Sequence, residues 1–327
     1  MKNKFKFSVA IPTYNNSKFL NKQLEIIFNN LKKIKLKNFL EVVISDNCSN
    51  DDTQSIVKKF KKKIKHVNSL KLNYHKNPIN LGYPKNFINL TKILNGEYVI
   101  FLSDDDLPGK KFYIKLFKKF KNLKENKLFF FSIDRINQYS KKYFNISKFS
   151  HVLNRGAAFS GVMLKKNEIN IKGINTKNLY IQSYVFNNCF IKNGFTEIDL
   201  KEEIYRNQPH KFISERFNDK MNRKKDFAVN DKIEVINYFY FNKKINFYNY
   251  FTSIVYVYSW ALRVLTQINL EKNFLLGEDF FYTITKNSKV PKAHLISVFF
   301  LIYIYYFFNN KNLLYLKYFL KLLVKKL

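Results

Sequence analysis

Four short apolar runs alternate with helical patterns in the first hundred residues, and this alternation constrains the fold more than any other feature. Phe5 to Ile11 reads as a buried strand stopped by Pro12. Ser17 to Leu31 then carries Phe19, Leu20, Leu24, Ile27, Phe28 and Leu31 at helical spacing. A second apolar strand spans Leu40 to Ile44, and an Asp/Asn/Ser cluster leads into a helix from Thr53 to Lys63. The short strand Leu70 to Tyr74, the loop Asn77 to Pro84, the helix Lys85 to Leu94 and the strand Tyr98 to Leu102 follow. Such an order implies an α/β fold, with a mostly parallel sheet covered by helices on both faces. Ligands of such sheets bind beyond the carboxyl ends of the strands.

Three polar clusters fall at those ends: Pro12-Thr13-Tyr14-Asn15-Asn16, Ser45-Asp46-Asn47-Cys48-Ser49-Asn50-Asp51-Asp52 and Ser103-Asp104-Asp105-Asp106. Asn and Asp also make turns and cap helices, and Asp51 or Asp52 before Thr53 suits a cap. Three adjacent carboxylates repel one another unless a cation or several donors offset the charge. An oxygen-only ligand set suits Mg²⁺ or Mn²⁺, which keep waters and bridge to phosphates.

Composition narrows the alternatives. The 327 residues include 58 Lys and Arg against 24 Asp and Glu, a formal charge of +34, yet 46% are apolar, with 35 Phe and 22 Tyr. A disordered polycation would lack those apolar residues. Lys, Asn, Ile and Phe are all written by AT-rich codons, so part of the charge is accounted for by genome composition; its physical effect is to attract phosphates, nucleotides, nucleic acid or anionic lipid. Two cysteines, Cys48 and Cys189, make no disulfide framework and no Cys-based zinc cluster. The N-terminal apolar run is too brief for a signal peptide, so the expected compartment is the cytoplasm. None of the glycines forms Gly-x-Gly or Gly-Lys-Ser/Thr, which excludes the dinucleotide fingerprint and the P-loop.

The C-terminal part differs. Phe280 to Leu327 holds eight lysines and no acidic residue. Ala293 to Phe308 is largely apolar and aromatic but shorter than the roughly 20 residues of a spanning helix. In Lys311 to Leu327, Leu313, Leu316, Leu320, Leu323 and Leu327 share one helical face flanked by Lys317, Lys321 and Lys325. This basic amphipathic helix either packs on the domain or lies on an anionic membrane surface.

Four segments together resemble glycosyltransferase family 2, of the GT-A fold: Phe7 to Asn16, Val42 to Asp51, Asn80-Leu81-Gly82-Tyr83-Pro84-Lys85-Asn86-Phe87, and Gly96 to Asp106. They occur in the family's order and spacing, and the Ser-Asp-Asn and Asp-Asp-Asp variants resemble the branch that builds bacterial surface glycans, abequosyltransferase-like enzymes among them. The resemblance implies a Rossmann-like domain over residues 1–215, with a nucleotide-sugar half (1–106) and an acceptor half (107–215), before a helical, basic region at 216–327. It implies that Pro12, Thr13, Tyr14 and Asn15 line the base and ribose pocket, with Asp46 hydrogen-bonding the base and Asn47 among the substrate-binding residues. Asn80 and Gly82 would shape the adjoining loop, and Lys85 would face the sugar or pyrophosphate. Two registers of the metal element remain, one centred on Asp105 and one using Asp104 with Asp106.

The family's inverting hexosyl transfer also implies a base for the acceptor hydroxyl. Many relatives carry a Glu-Asp pair a dozen or so residues before a Gly; aligning that Gly with Gly194 puts Gln182-Ser183 there, and neither is a general base at neutral pH. Gln182 could instead orient the acceptor or a sugar hydroxyl, and Asp134, Glu168 and Glu197 are the alternative bases. Leu128 to Ile133 reads as a strand leading to Asp134 and Arg135, and Gly156 to Leu164 as an acceptor-side loop and strand. Tyr205-Arg206-Asn207-Gln208-Pro209-His210 resembles a segment whose Arg and His approach the diphosphate, making Arg206 and His210 a candidate clamp. The expected function is metal-dependent sugar transfer from a nucleotide-sugar donor to a glycan or lipid-linked acceptor at the inner face of the cytoplasmic membrane. Competing readings are a catalytically degenerate membrane-surface scaffold, which the absent acid pair favours, and a nucleic-acid-binding protein, which would interleave lysines and aromatics on one face. No nucleic acid is expected, because the recognisable clusters are acidic.

Overall fold

A computed structural model describes residues 5–133, 147–206 and 229–267. The chain divides into two compact units, Met1–Pro209 and His210–Leu327. The first contains the sheet.

Strands β1 (Phe5–Thr13), β2 (Leu40–Asp46), β3 (Leu70–Lys76) and β4 (Gly96–Phe101) are parallel and alternate with helices α1 (Ser17–Leu31), α2 (Thr53–Lys63) and α3 (Tyr83–Lys92). Beyond them come β5 (Asp106–Pro108), α4 (Phe112–Phe120), β6 (Leu128–Phe131), α5 (Lys148–Ala157), β7 (Val162–Lys165), α6 (Ile181–Asn193), β8 (Phe195–Ile198) and β9 (Ile204–Arg206). The main sheet has the order β3-β2-β1-β4-β7-β6-β8, with β7 antiparallel to both neighbours. β5 and β9 form a separate two-stranded ribbon.

The core explains the alternation. Both faces of β1 and β2 are buried: Phe7, Val9, Ile11, Val42 and Ile44 point to one face, and Ala10 and Val43 to the other, so the apolar residues run on instead of alternating with exposed ones. Against them α1 packs Leu20, Leu24, Ile27 and Leu31. Pro12 lies inside β1 instead of ending it. The strand loses β4 as a partner after Ala10, and a residue without an N–H is tolerated where only one side is paired.

Two glycines permit close approach. A Cβ on Gly96 would lie 2.4 Å from the Ser8 nitrogen, because its N–H bonds to both Ser8 Oγ and the buried Glu41 carboxylate. Gly156, expected in a loop, sits in the last turn of α5, where a Cβ would lie 2.9 Å from the Phe186 ring of α6. Its role is helix-to-helix contact.

The described part of the second unit is a helical hairpin, α7 (Val229–Phe241) and α8 (Phe247–Gln267), joined by a tight turn with Lys243 at φ 54°. Residues 268–327, including the expected basic amphipathic helix, lie outside the described residues, as do Asp134, Arg135 and His210. Among the described residues no helix is long and apolar enough to cross a membrane.

Candidate active site

The parallel strands β1 to β4 end at one edge of the sheet, and the three polar clusters meet there. The first two loops are tied backbone to side chain. Asn47 N donates to Thr13 O at 2.9 Å, Asn15 N to Ser49 Oγ at 2.9 Å, and Asn50 N to Asn15 Oδ1 at 2.9 Å. Asn15 adopts φ 50°, which Asn tolerates better than most residues and which lets its amide bridge the loops. Asp51 accepts from the first N–H of α1, Ser17 N at 2.8 Å, and from that of α2, Thr53 N at 3.1 Å. Its burial opposes ionisation, but the hydrogen bonds from Thr53 and Ser17 outweigh that and hold its carboxyl below the usual range. Tyr14 projects into solvent beside Asn15.

Asp46 is 0% exposed. One carboxylate oxygen accepts from Ser49 N at 2.8 Å and the other from Tyr74 OH at 2.6 Å, so Asp46 braces the wall of the edge from behind. Burial, with the Asp46 charge beside it, raises the Tyr74 hydroxyl and keeps it a donor.

An amide network joins the end of β2 to the loop before α3. Asn47 Nδ2 donates to Asn80 Oδ1 at 2.6 Å, and Asn47 Oδ1 accepts from Leu81 N at 2.9 Å and from Asn77 Nδ2 at 3.2 Å. Asn86 bonds Ser45 through both its oxygen and its nitrogen, at 2.7 and 2.9 Å. Asn80 Oδ1 also accepts from Gly82 N, where φ of 76° favours glycine. Lys85, in the first turn of α3, is exposed. Asn77 and Asn86 were not among the expected site residues, although Asn86 stands in the motif beginning at Asn80.

The carboxylate turn follows β4. Asp104 Oδ2 accepts from Thr13 Oγ1 at 2.6 Å, joining the first and fourth strand ends. Burial pushes its carboxyl up to about 6, with the Asp105 charge adding to the rise and hydrogen bonds from Thr13 and Asn16 opposing it. Asp105 is half-buried, and its Oδ1 accepts from Ser103 Oγ at 2.5 Å. Asp106 is buried and begins β5, whose backbone pairs with β9 so that position 106 stands opposite Arg206. Ser160, at 0% exposure, holds the turn from the acceptor side by accepting from Ser103 N at 2.8 Å. Among the described residues no three His, Cys, Asp or Glu side chains form a ligand cluster.

The acceptor-side candidates separate. Gln182, in the first turn of α6, accepts from Tyr83 OH at 3.1 Å, which places it against the donor loop. Glu168 lies elsewhere. β7 runs antiparallel to β4, with Tyr98 opposite Lys165, so the residues after β7 sit at the edge where β4 begins, away from the carboxylate turn. Glu168 there is buried and paired with Lys192 at 3.0 Å. Glu197, on the outermost strand, pairs with His151 at 2.9 Å. That hydrogen bond holds its carboxyl below the usual range.

A model of glycosyl transferase family 2 matches residues 8–188, more than half of the chain. The chain belongs to this family. Among curated proteins it is similar to the poly(ribitol-phosphate) beta-N-acetylglucosaminyltransferase TarS of Staphylococcus aureus, 35% identical over 107 residues, 32% of this chain and 17% of TarS. It is also similar to the uncharacterized glycosyltransferase MG060 of Mycoplasma genitalium, 37% identical over 116 residues, 35% of this chain and 37% of that protein. The matched stretches therefore span well under half of these relatives. Among solved structures, residues 1–349 of S. aureus TarS in complex with UDP-GlcNAc superpose with a TM-score of 0.59 at 16% identity, covering 89% of this chain and 83% of that one. The mannosyltransferase PcManGT from Pyrobaculum calidifontis, in complex with GDP-Man and Mn²⁺, gives 0.56 at 14% identity, covering 91% and 80%. These likenesses show the GT-A fold.

Proposed function

We propose that this family 2 protein is an inverting, metal-dependent hexosyltransferase that moves a sugar from a nucleotide-sugar donor to a glycan or lipid-linked acceptor in bacterial surface-glycan synthesis. The observation that carries this reading is the Thr13–Asp104 bond, which binds the end of β1 to the carboxylate turn after β4 at the ligand-binding edge of the sheet. Solved neighbours bind UDP-GlcNAc, or GDP-Man with Mn²⁺, and support the donor class and the ion.

The donor set fits a hard divalent cation. Asp104 and Asp105 are both half-buried with one carboxylate oxygen held, by Thr13 and Ser103 respectively, while Asp106 is buried in a strand; of the two registers we take the one centred on Asp105. A bound Mn²⁺ or Mg²⁺ would neutralise charge developing on the departing nucleoside diphosphate. Thr13, Tyr14 and Asn15 are read as lining the nucleoside side, with Asp46, Asn47, Asn80 and Gly82 shaping the wall, and exposed Lys85 available to a phosphate or sugar. Gln182, bonded to Tyr83 of the donor loop, is read as orienting the acceptor or a sugar hydroxyl, with Arg206 and His210 closing over the diphosphate.

A cytoplasmic position at an anionic membrane surface belongs to the same proposal. Supporting it, the tip of the α7–α8 hairpin exposes Phe241 at 63%, Phe247 at 56% and Tyr248 at 55% beside exposed Lys243 and Lys244. Aromatic rings and lysines together suit the bilayer interface. The test is donor hydrolysis by the purified chain with UDP-, GDP-, CDP- and dTDP-sugars. Hydrolysis of one donor class that requires Mn²⁺ or Mg²⁺ is expected; equal hydrolysis in EDTA would remove the metal from the account.

A further inference from the structure

Gln23 lies on α1, yet its side chain reaches the carboxylate turn. Its Nε2 donates to Ser103 O at 2.8 Å and to Asp106 O at 2.7 Å, the two carbonyls that bracket Asp104 and Asp105. It is 0% exposed, and its Oε1 has no hydrogen-bond partner among the described residues. The two carbonyls fix the orientation of the amide, because the flipped amide would set Oε1 against both of these oxygens and gain nothing at the other end. Two turns further along the same face, Asn30 is also buried. Its Nδ2 donates to Lys110 O at 2.7 Å, and its Oδ1 accepts from Ile114 N at 3.3 Å. Two buried amides of one helix thus grip both ends of the segment that carries the acids, β5 and the start of α4.

Other contacts reach the turn by different routes. Thr13 holds the Asp104 side chain and Ser160 holds the Ser103 N–H. Within the turn Asp106 N donates to Ser103 O at 3.2 Å, and from outside it Gln23 joins the carbonyl before the paired acids to the one after them. A carboxylate that must meet a cation is useful only if its backbone is held to within about half an ångström. A buried amide giving both hydrogens to one turn supplies that restraint without adding a charge beside the acids.

We propose that Gln23 is a positioning residue for the carboxylate turn, setting the separation of the Ser103 and Asp106 carbonyls and thereby the aim of Asp105. The part concerning the cation rests on the proposed function; the part concerning the turn does not. Gln23→Met keeps length and bulk but removes both donors, and Val57→Ala, a core change on α2, serves as a control for general loss of stability. Amide hydrogen exchange is read at residues 104–107 and across β1 to β4, and Mn²⁺ binding with UDP, GDP, CDP or dTDP is read by the loss of the free-ion electron paramagnetic resonance signal. Gln23→Met is expected to accelerate exchange at residues 104–107 by at least about tenfold, leave β1 to β4 as in the wild type, and weaken Mn²⁺ binding by about tenfold or more relative to Val57→Ala. Unchanged exchange at residues 104–107, or acceleration spread evenly over the sheet as for Val57→Ala, would overturn the proposal. Wild-type protein that takes up no Mn²⁺ with any nucleotide would overturn the metal reading, while hydrogen exchange would still decide the role of Gln23. If Gln23→Met does not fold, Gln23→Asn, which keeps the amide one methylene short, is put through the same two measurements with the same outcomes.

Discussion

The two halves of the first unit are built from different materials. At the donor edge, loops from four strands hold one another through short polar contacts: Thr13 to Asp104, Asn15 to Asn50, Asn47 to Asn80 and Ser45 to Asn86. On the acceptor side the packing is aromatic. Phe101 lies against Phe159 and Phe186, each at 5.3 Å between ring centroids, while Glu168 is held in an ion pair with Lys192 and Glu197 in a hydrogen bond with His151. Polar loops that lock one another present fixed groups before any ligand arrives, which is how binding and electrostatic stabilisation are made inexpensive in reorganisation. Under the proposed function, an aromatic wall headed by a neutral amide, Gln182, would shape space around an acceptor and supply no charge.

Variants that unbalance this contrast test it. The largest effect is expected from Asp105→Asn, which should lower metal-dependent turnover by about 100- to 1000-fold with folding retained, whereas Glu168→Gln, at the opposite edge, should change it by less than about twofold. Steady-state rates and circular dichroism decide the matter, and a comparable loss from Glu168→Gln would break the division between the halves. A smaller effect concerns pH. The Asp104 carboxyl titrates near 6 in the folded chain against an ordinary 3.8, so the folded state holds that proton more tightly. The stability this gives is complete below about pH 4 and is lost as pH rises through about 6. Metal-free Asp104→Asn, which cannot ionise, should therefore gain on the wild type by up to about 2 to 3 kcal/mol near pH 8, the gap closing as pH falls. Urea titrations at several pH values measure it, and a gap independent of pH would contradict the assigned burial. Gly96→Ala should cost about 1 to 3 kcal/mol by crowding Ser8 where β4 begins, at the edge away from the carboxylate turn. Thermal unfolding with wild-type stability would show that the β1–β4 contact is looser than described.

The first four strands and three helices were legible because their signals are consecutive: apolar runs of strand length, helical periodicity and an Asp51 that accepts from Thr53 N two residues on. The site residues that escaped notice depend on partners far along the chain. Gln23 meets Ser103 and Asp106 some eighty positions away. A hint was present, since Gln23 and Asn30 fall on the same α1 stripe as Leu20, Ile27 and Leu31, where a polar residue must find a buried partner. Gly156 read as loop because glycine is a poor helix former, and only the nearby Phe186 of α6 explains it. Nor does spacing reveal that Glu168 sits at the wrong edge, because that follows from the antiparallel run of β7.

The central claim is that the donor edge binds a nucleotide sugar through a cation held at Asp105. Thermal unfolding of the wild type and Asp105→Asn with UDP-, GDP-, CDP- and dTDP-sugars, with and without Mn²⁺, tests it most directly, because a ligand bound to the native state raises the melting temperature. One class of donor should stabilise the wild type only when Mn²⁺ is present and fail to stabilise Asp105→Asn. Equal stabilisation of both proteins, or none by any donor, would contradict it.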